Sequence, residues 1–256
     1  LASGEVLEIP RGKYFATPAG EFTIIDSKGN ETTVKIPNYA MPLTKNTAGI
    51  FSAPNMDLID LFIGSEGIFG AITEVEIALQ KWNDCVSIIQ FLPSDDKAID
   101  FVISLRKERS LRPEFIEFYS SNALDLLRRK QTEDPKIIGM PPIPDYAKSA
   151  VFFDLRFNLE GKDNNYSKLD EIVSKCGSTL SRSWTAHERR DLERFKNFRH
   201  ILPETVNSII AERKKEIPEL YKLGTDLAVP DQFLTEIWAF YNSRLFKADL
   251  EWVAFG

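Results

Sequence analysis

From Val86 to Trp184 the chain twice repeats the order strand, helix, strand, and that repetition limits the fold more than any other feature. Val86 to Leu92 is a continuous apolar run of strand length. Ser94-Asp95-Asp96 then opens a helix reaching about Lys107, with acids in its first turn where the helix dipole favours them. Phe115 to Tyr119 is the next strand and Ser121 to Lys130 the next helix, followed by a proline-studded loop from Asp134 to Asp145. The second round is strand Ala150 to Leu159, helix Ser167 to Cys176 and strand Thr179 to Trp184. Phe152, Phe153 and Phe157 fall in an alternating strand and read as core. This order predicts an α+β domain with its helices on one face of a sheet. Beyond it, a charged helix starts near His187, breaks near Pro203 and resumes to Arg213. Strand Lys222 to Leu227, helix Asp231 to Arg244 and a strand-like run Trp252-Val253-Ala254-Phe255-Gly256 complete the chain.

The region before residue 80 reads differently. Glu5-Val6-Leu7-Glu8-Ile9 alternates as a strand does. Phe22 to Ile25 and Thr32 to Ile36 flank Ser27-Lys28-Gly29-Asn30, which has hairpin-turn chemistry. Pro37, Pro42 and Pro54 predict loop, Asp57 to Ile63 a short helix capped by Asn55, and Ala71 to Leu79 a strand. A domain boundary is expected near residue 80.

Composition excludes several functions. A net charge of −6, with Lys and Arg interspersed among acids, argues against a nucleic-acid-binding surface, so no nucleic-acid partner is expected. No apolar run approaches the roughly 20 residues of a membrane-spanning helix. The polar, glycine-bearing start is not a signal peptide, so the expected setting is cytoplasmic, at most peripheral to a membrane through a partner. Cys85 and Cys176 are expected as small, unpaired core residues, and with His187 and His200 they match no zinc spacing. The absence of an initial methionine and the strand-like end predict a piece of a longer protein.

Gly64-Ser65-Glu66-Gly67-Ile68-Phe69-Gly70 places glycine at every third position between a helix and a strand. Glycine reaches left-handed backbone angles, and successive N–H groups in such a turn form an anion-binding nest. On spacing alone a tight connection is the commoner reading. It is neither a Rossmann fingerprint nor a phosphate loop, because a strand follows and no Gly-Lys-Ser/Thr ends it.

With Asp57 to Ile63 before it and Ile72-Thr73 after it, this segment resembles the Gly-Ser-Glu-Gly-Thr-Leu-Gly signature of FAD-linked oxidases. These have the vanillyl-alcohol oxidase fold, and the nearest branch is that of D-lactate dehydrogenase and the glycolate-oxidase D subunit. Lys45-Asn46-Thr47-Ala48-Gly49-Ile50 resembles the branch's Lys-Asn-(Ala/Thr)-Ala-Gly-Tyr stretch. The resemblance implies the C-terminal part of a PCMH-type FAD-binding domain over residues 1–80. Over 81–256 it implies a ferredoxin-like α+β cap of the FAD-linked oxidase C-terminal type, truncated at its C-terminal end. It also implies contacts to FAD from Gly64, Ser65, Glu66, Gly67, Gly70 and Ile72, and from Lys45, Asn46 and Gly49. Ile68 and Phe69 stand where the family has Thr and Leu, and Ile50 replaces an aromatic residue.

Phe198-Arg199-His200-Ile201-Leu202-Pro203-Glu204 resembles the family's helix whose arginine faces the substrate carboxylate, which a guanidinium can grip through two parallel hydrogen bonds. Without the resemblance, Arg199 reads as a solvated or ion-paired residue. Thr225-Asp226-Leu227-Ala228-Val229-Pro230 resembles an active-site strand. Gly224 occupies a position where some relatives carry a basic residue, and Asp226 has a second reading as cap of the helix after Pro230. Phe255-Gly256 resembles the start of a Phe-Gly-His motif that supplies a proton acceptor and, in some relatives, metal ligands.

The resemblance thus implies oxidation of a small 2-hydroxy acid by FAD, with Arg199 as the substrate-binding residue. It implies a further electron acceptor and no catalytic base or metal ligand within the chain. Residues 1–256 alone are expected neither to retain FAD nor to turn over. The alternative is a non-catalytic, flavin-free partner subunit of an oxidase complex.

Overall fold

The computed structural model describes residues 1–25, 29–46, 49–79, 85–134, 139–156 and 162–256, with backbone alone at 162–164. Ser27 and Lys28 of the hairpin turn, Thr47 and Ala48, the segment Lys81 to Asp84, and Phe157 with the strand tail to Leu159 lie outside them. Contacts divide the chain into two compact units, Leu1–Gln80 and Lys81–Gly256.

In the first unit, β1 (Glu21–Ile25) and β2 (Glu31–Lys35) pair antiparallel, from Glu21 opposite Lys35 to Ile25 opposite Glu31. A lone hairpin is marginal in water. This one is anchored by the fully buried Phe22, which joins Ala16, Ile36, Met56, Leu58 and Leu61 in a small core. Helix α1 (Ile59–Phe62) is a single turn. Asn55 does not cap it; Asn55 has φ +56° in the Ala53–Met56 turn, where Pro54 and a positive-φ residue give type II chemistry. The buried Asp57 does the local work instead, accepting from Gly12 N–H at 2.6 Å and Ile59 N–H at 3.3 Å. Residues 5–9 and 71–79 form no strand among the described residues, and Ile72, Val75, Ile77 and Leu79 are exposed. Alternation fixes which side chains share a face; a strand also needs a neighbour for its N–H and C=O groups.

The second unit is built on a four-stranded antiparallel sheet. In chain order its elements are β3 (Cys85–Leu92), α2 (Asp95–Lys107), β4 (Ile116–Tyr119), α3 (Ser121–Glu133), β5 (Ser149–Arg156), α4 (Lys162–Lys175), β6 (Ser183–Ala186), α5 (Arg189–Arg213) and α6 (Leu234–Lys247). The strand order is β4-β5-β3-β6. Each of the two β-α-β rounds therefore skips one strand, and the skipped strand belongs to the other round, the split β-α-β arrangement. Helix starts follow sequence chemistry: Ser94 Oγ accepts from Lys97 N–H ahead of α2, and Ser120 Oγ from Ala123 N–H ahead of α3.

The sheet is covered on both faces, not one. Val86, Ile88, Val151, Phe153 and Leu155 pack with α2 and α4, while Ile89, Phe91, Ala150 and Phe152 pack with α3 and α5. Alternate residues of β3 and β5 are thus apolar on both sides, the pattern of a strand covered twice. Cys176 joins this core, whereas Cys85 at the start of β3 is only half-buried.

Several expected elements differ. Of the expected strand Thr179 to Trp184, Leu180–Arg182 is a 3-10 turn and the strand itself starts at Ser183. Helix α5 continues through Pro203, its two halves held by Phe195, Phe198, Leu202 and Thr205 on the buried side. Proline has no N–H, so the Arg199 carbonyl four residues earlier lacks its helical donor. Residues 222–227 are exposed and form no strand, and the helix after Pro230 begins as a 3-10 turn, Asp231–Phe233. The final run lies along the free edge of β4: Phe118 N–H donates to Gly256 O at 2.7 Å, and Ser120 N–H to Ala254 O at 2.9 Å. No described helix is long and apolar enough to cross a membrane.

The fully buried Gln90 ties the segment ahead of β6 to β3. Its Nε2 lies 3.1 Å from Thr179 O, Arg182 O and Ser178 Oγ, so the amide nitrogen must face these acceptors. Gln90→Leu removes a donor from Arg182 O, while Thr179 O keeps the N–H of Arg182 at 3.0 Å. It is expected to destabilise the unit by about 1–3 kcal/mol, read from urea unfolding. Wild-type stability in the variant would show that the Arg182 carbonyl finds another donor.

Candidate functional site

The glycine-rich turn closes on itself in the first unit. Ile68 N–H donates to Ser65 O at 3.0 Å, with Glu66 at φ +50° and Gly67 at φ +81°, so Ser65–Ile68 is a type I′ turn. A non-glycine residue in left-handed backbone carries strain of about 1–2 kcal/mol, which Glu66 bears here. Phe62 and Phe69 meet edge to face across the turn, with ring centroids 5.7 Å apart. Among the described residues, the N–H groups of Glu66 and Gly67 have no acceptor, and a side chain built on Gly64 or Gly67 would meet nothing within 4 Å. Free amides before open space suit an anionic or carbonyl-bearing ligand.

Beside the turn is a concavity of about 430 Å³ whose walls include Val34, Ile36, Pro37, Ile50, Leu61 and Phe69. Ile50 and Phe69 bring the ends of the two predicted cofactor segments to one surface. None of the predicted cofactor-binding residues is among its wall residues. Lys45, Asn46 and Gly49 are exposed, Asn46 Nδ2 donates to Thr44 O at 3.3 Å, and Tyr39 Oη bonds Ile50 O. Gly70 lies against Leu1 and Ile72 points to solvent. Ser65 is half-buried and Glu66 exposed.

In the second unit, Arg199 projects from α5 over β4. Its Nε lies 2.5 Å from Glu117 Oε2, and its guanidinium carbon lies 5.7 Å from the centre of the Phe115 ring. Arg199 is 53% exposed and Glu117 only 9%, so one end of the pair faces solvent and the other is shut in. The N–H is not aimed well enough for a strong hydrogen bond, and among the described residues Glu117 Oε2 has none elsewhere; the contact is an ion pair. Burial pushes the Glu117 carboxyl above the ordinary range, and Arg199 pulls it back in part. Two residues along β4, burial and the nearby Glu117 push the Tyr119 phenol far up, so it stays neutral. Its hydroxyl makes no well-formed hydrogen bond among the described residues.

Glu117, Tyr119 and Phe115 are absent from the sequence-based set of site residues. The signal was present: Glu117 is the one charged residue in Phe115-Ile116-Glu117-Phe118-Tyr119, and a buried acid needs a partner. His200 is exposed and acts on Glu117 only through its charge. Asp226 is also exposed and caps nothing: no side chain caps the 3-10 turn or α6. Thr225 Oγ1 lies 3.4 Å from Tyr241 Oη.

No protein-family model matches the chain, and no curated protein matches it.

Proposed function

We propose that this chain belongs to a flavin-dependent oxidoreductase that oxidises a small 2-hydroxy acid of the lactate, glycolate or 2-hydroxyglutarate type. One observation carries the reading: Arg199 is gripped from behind by Glu117 and Phe115 while its outer end remains open to solvent. A guanidinium fixed at Nε can still offer its terminal nitrogens to a carboxylate as a two-pronged donor. The strand order β4-β5-β3-β6 supports a ferredoxin-like cap over residues 81–256. The free amides of Glu66 and Gly67 and the apolar walls at Ile50 and Phe69 fit part of an FAD site over residues 1–80.

In this reading Arg199 binds the substrate carboxylate and orients the carbon bearing the hydroxyl. Main-chain N–H groups of the Gly64–Gly70 turn hold the cofactor, with Ser65, Ile72, Lys45, Asn46 and Gly49 around it. FAD would supply the hydride acceptor, its electrons leaving to a further acceptor. The hydroxyl proton is assigned to no residue of this chain.

The test is the cofactor. The protein carrying this chain, purified after FAD supplementation, is expected to show a flavin absorption band and to release stoichiometric FAD on denaturation. Adding lactate, glycolate or 2-hydroxyglutarate should bleach that band. A colourless, FAD-free protein would instead favour a non-catalytic partner subunit, which the departures at Ile68, Phe69 and Gly224 allow.

A further inference from the structure

The Arg199–Glu117 pair has a consequence for ligand binding, which rests on the reading of Arg199 as the carboxylate site. Glu117 is buried, and its counter-charge is a guanidinium whose other end faces solvent. Among the described residues, Arg199 and His200 from α5 and Tyr119 from its own strand act on it. From β5 the residue opposite is Phe152, which carries no charge. Among the described residues Arg199 is thus the close cation of Glu117, and a ligand carboxylate would share it.

Two carboxylates on one cation do not both remain ionised freely; the pair holds a proton more tightly than either group alone. The ligand's carboxylate would sit at the exposed end of Arg199, where water helps to solvate it. Glu117 is shut in, so the proton belongs there. We infer that a carboxylate binding at Arg199 is accompanied by the uptake of one proton from solvent onto Glu117. The neutral Glu117 would then lie beside the neutral Tyr119 phenol, whose hydroxyl lacks a good partner and can accept the new O–H. A carboxylate that must bring a proton binds more weakly as pH rises. The dissociation constant should climb by up to about tenfold per pH unit, the limit for one coupled proton.

Calorimetric titration with lactate tests this on the protein carrying this chain, in buffers of different ionisation enthalpy and across neutral pH. Wild type is expected to take up close to one proton per lactate. Glu117→Gln, which keeps the shape of the side chain, should bind lactate without proton uptake and with a flat pH profile. His200→Asn should retain the uptake, separating Glu117 from the other titratable group on α5. Lactate binding by wild type with no uptake, or undiminished uptake by Glu117→Gln, would overturn the inference while leaving Arg199 as the site. Failure of both wild type and Glu117→Gln to bind lactate would remove the carboxylate site itself, and the inference with it.

Discussion

Phe198→Ala is expected to lower the stability of the Lys81–Gly256 unit by about 3–5 kcal/mol, the usual loss when a buried aromatic ring leaves a cavity. Phe198 is fully buried on the inner side of α5. Its ring centre is 5.1 Å from that of Tyr119 on β4 and 6.0 Å from that of Trp184 on β6. One side chain thus links the helix to both outer strands of the sheet, and neighbouring strands cannot easily collapse into the gap. Small domains hold only about 5–15 kcal/mol in total, so the change should be plain in a urea melt. Trp184 fluorescence gives a local readout, because its partner ring disappears. Phe198→Leu, which fills most of the volume, should cost much less. A midpoint for Phe198→Ala close to wild type would mean that α5 is not packed on this face as described.

Arg199→Met is expected to weaken lactate binding by about 100-fold or more, as the loss of a two-pronged charge-assisted contact would require. Methionine keeps the length and helix preference of the side chain, so the loss falls on the charge. The same change leaves Glu117 buried without its cation. Its carboxyl, already raised by burial, should rise further and take a proton. The sign follows from proton affinity. A carboxyl that holds its proton more tightly when folded than when unfolded makes the protein less stable as pH rises from its ordinary value of 4.5 through the folded value. Arg199→Met should therefore lose stability with rising pH more steeply than wild type. The double variant Arg199→Met/Glu117→Gln should recover the stability but not the lactate binding. Recovery of both, seen by calorimetry, would assign the carboxylate to another group.

Much of the second unit was legible in the residues. The apolar run Val86 to Leu92, the Ser94-Asp95-Asp96 helix start and the strand at Phe115 to Tyr119 appear as β3, α2 and β4 with boundaries shifted by a residue or so. Local chemistry determines these: a serine oxygen caps an N–H three residues away, and a strand with apolar side chains on both sides must be covered twice. The second cover was readable from the runs in β3 and β5, yet which helices supply it depends on how the crossovers run. The isolated alternations at residues 5–9, 71–79 and 222–227 misled, because periodicity specifies faces without specifying a partner.

Of the candidate site, the glycines at 64 and 67 announced their backbone, and both have the positive φ that their residue type permits. That freedom is local and needs no tertiary information. Arg199 could be singled out in the sequence, but its partner could not. Glu117 lies 82 positions earlier by residue number, and only the packing of α5 on β4 puts carboxylate and guanidinium 2.5 Å apart with one end buried and the other open. The sequence by itself determined where helices start and which strands are apolar, because those follow from neighbours a few bonds away. Charge pairing, burial and the direction in which Arg199 can still bind were decided by tertiary structure, because electrostatic energy depends on distance and solvent access in space.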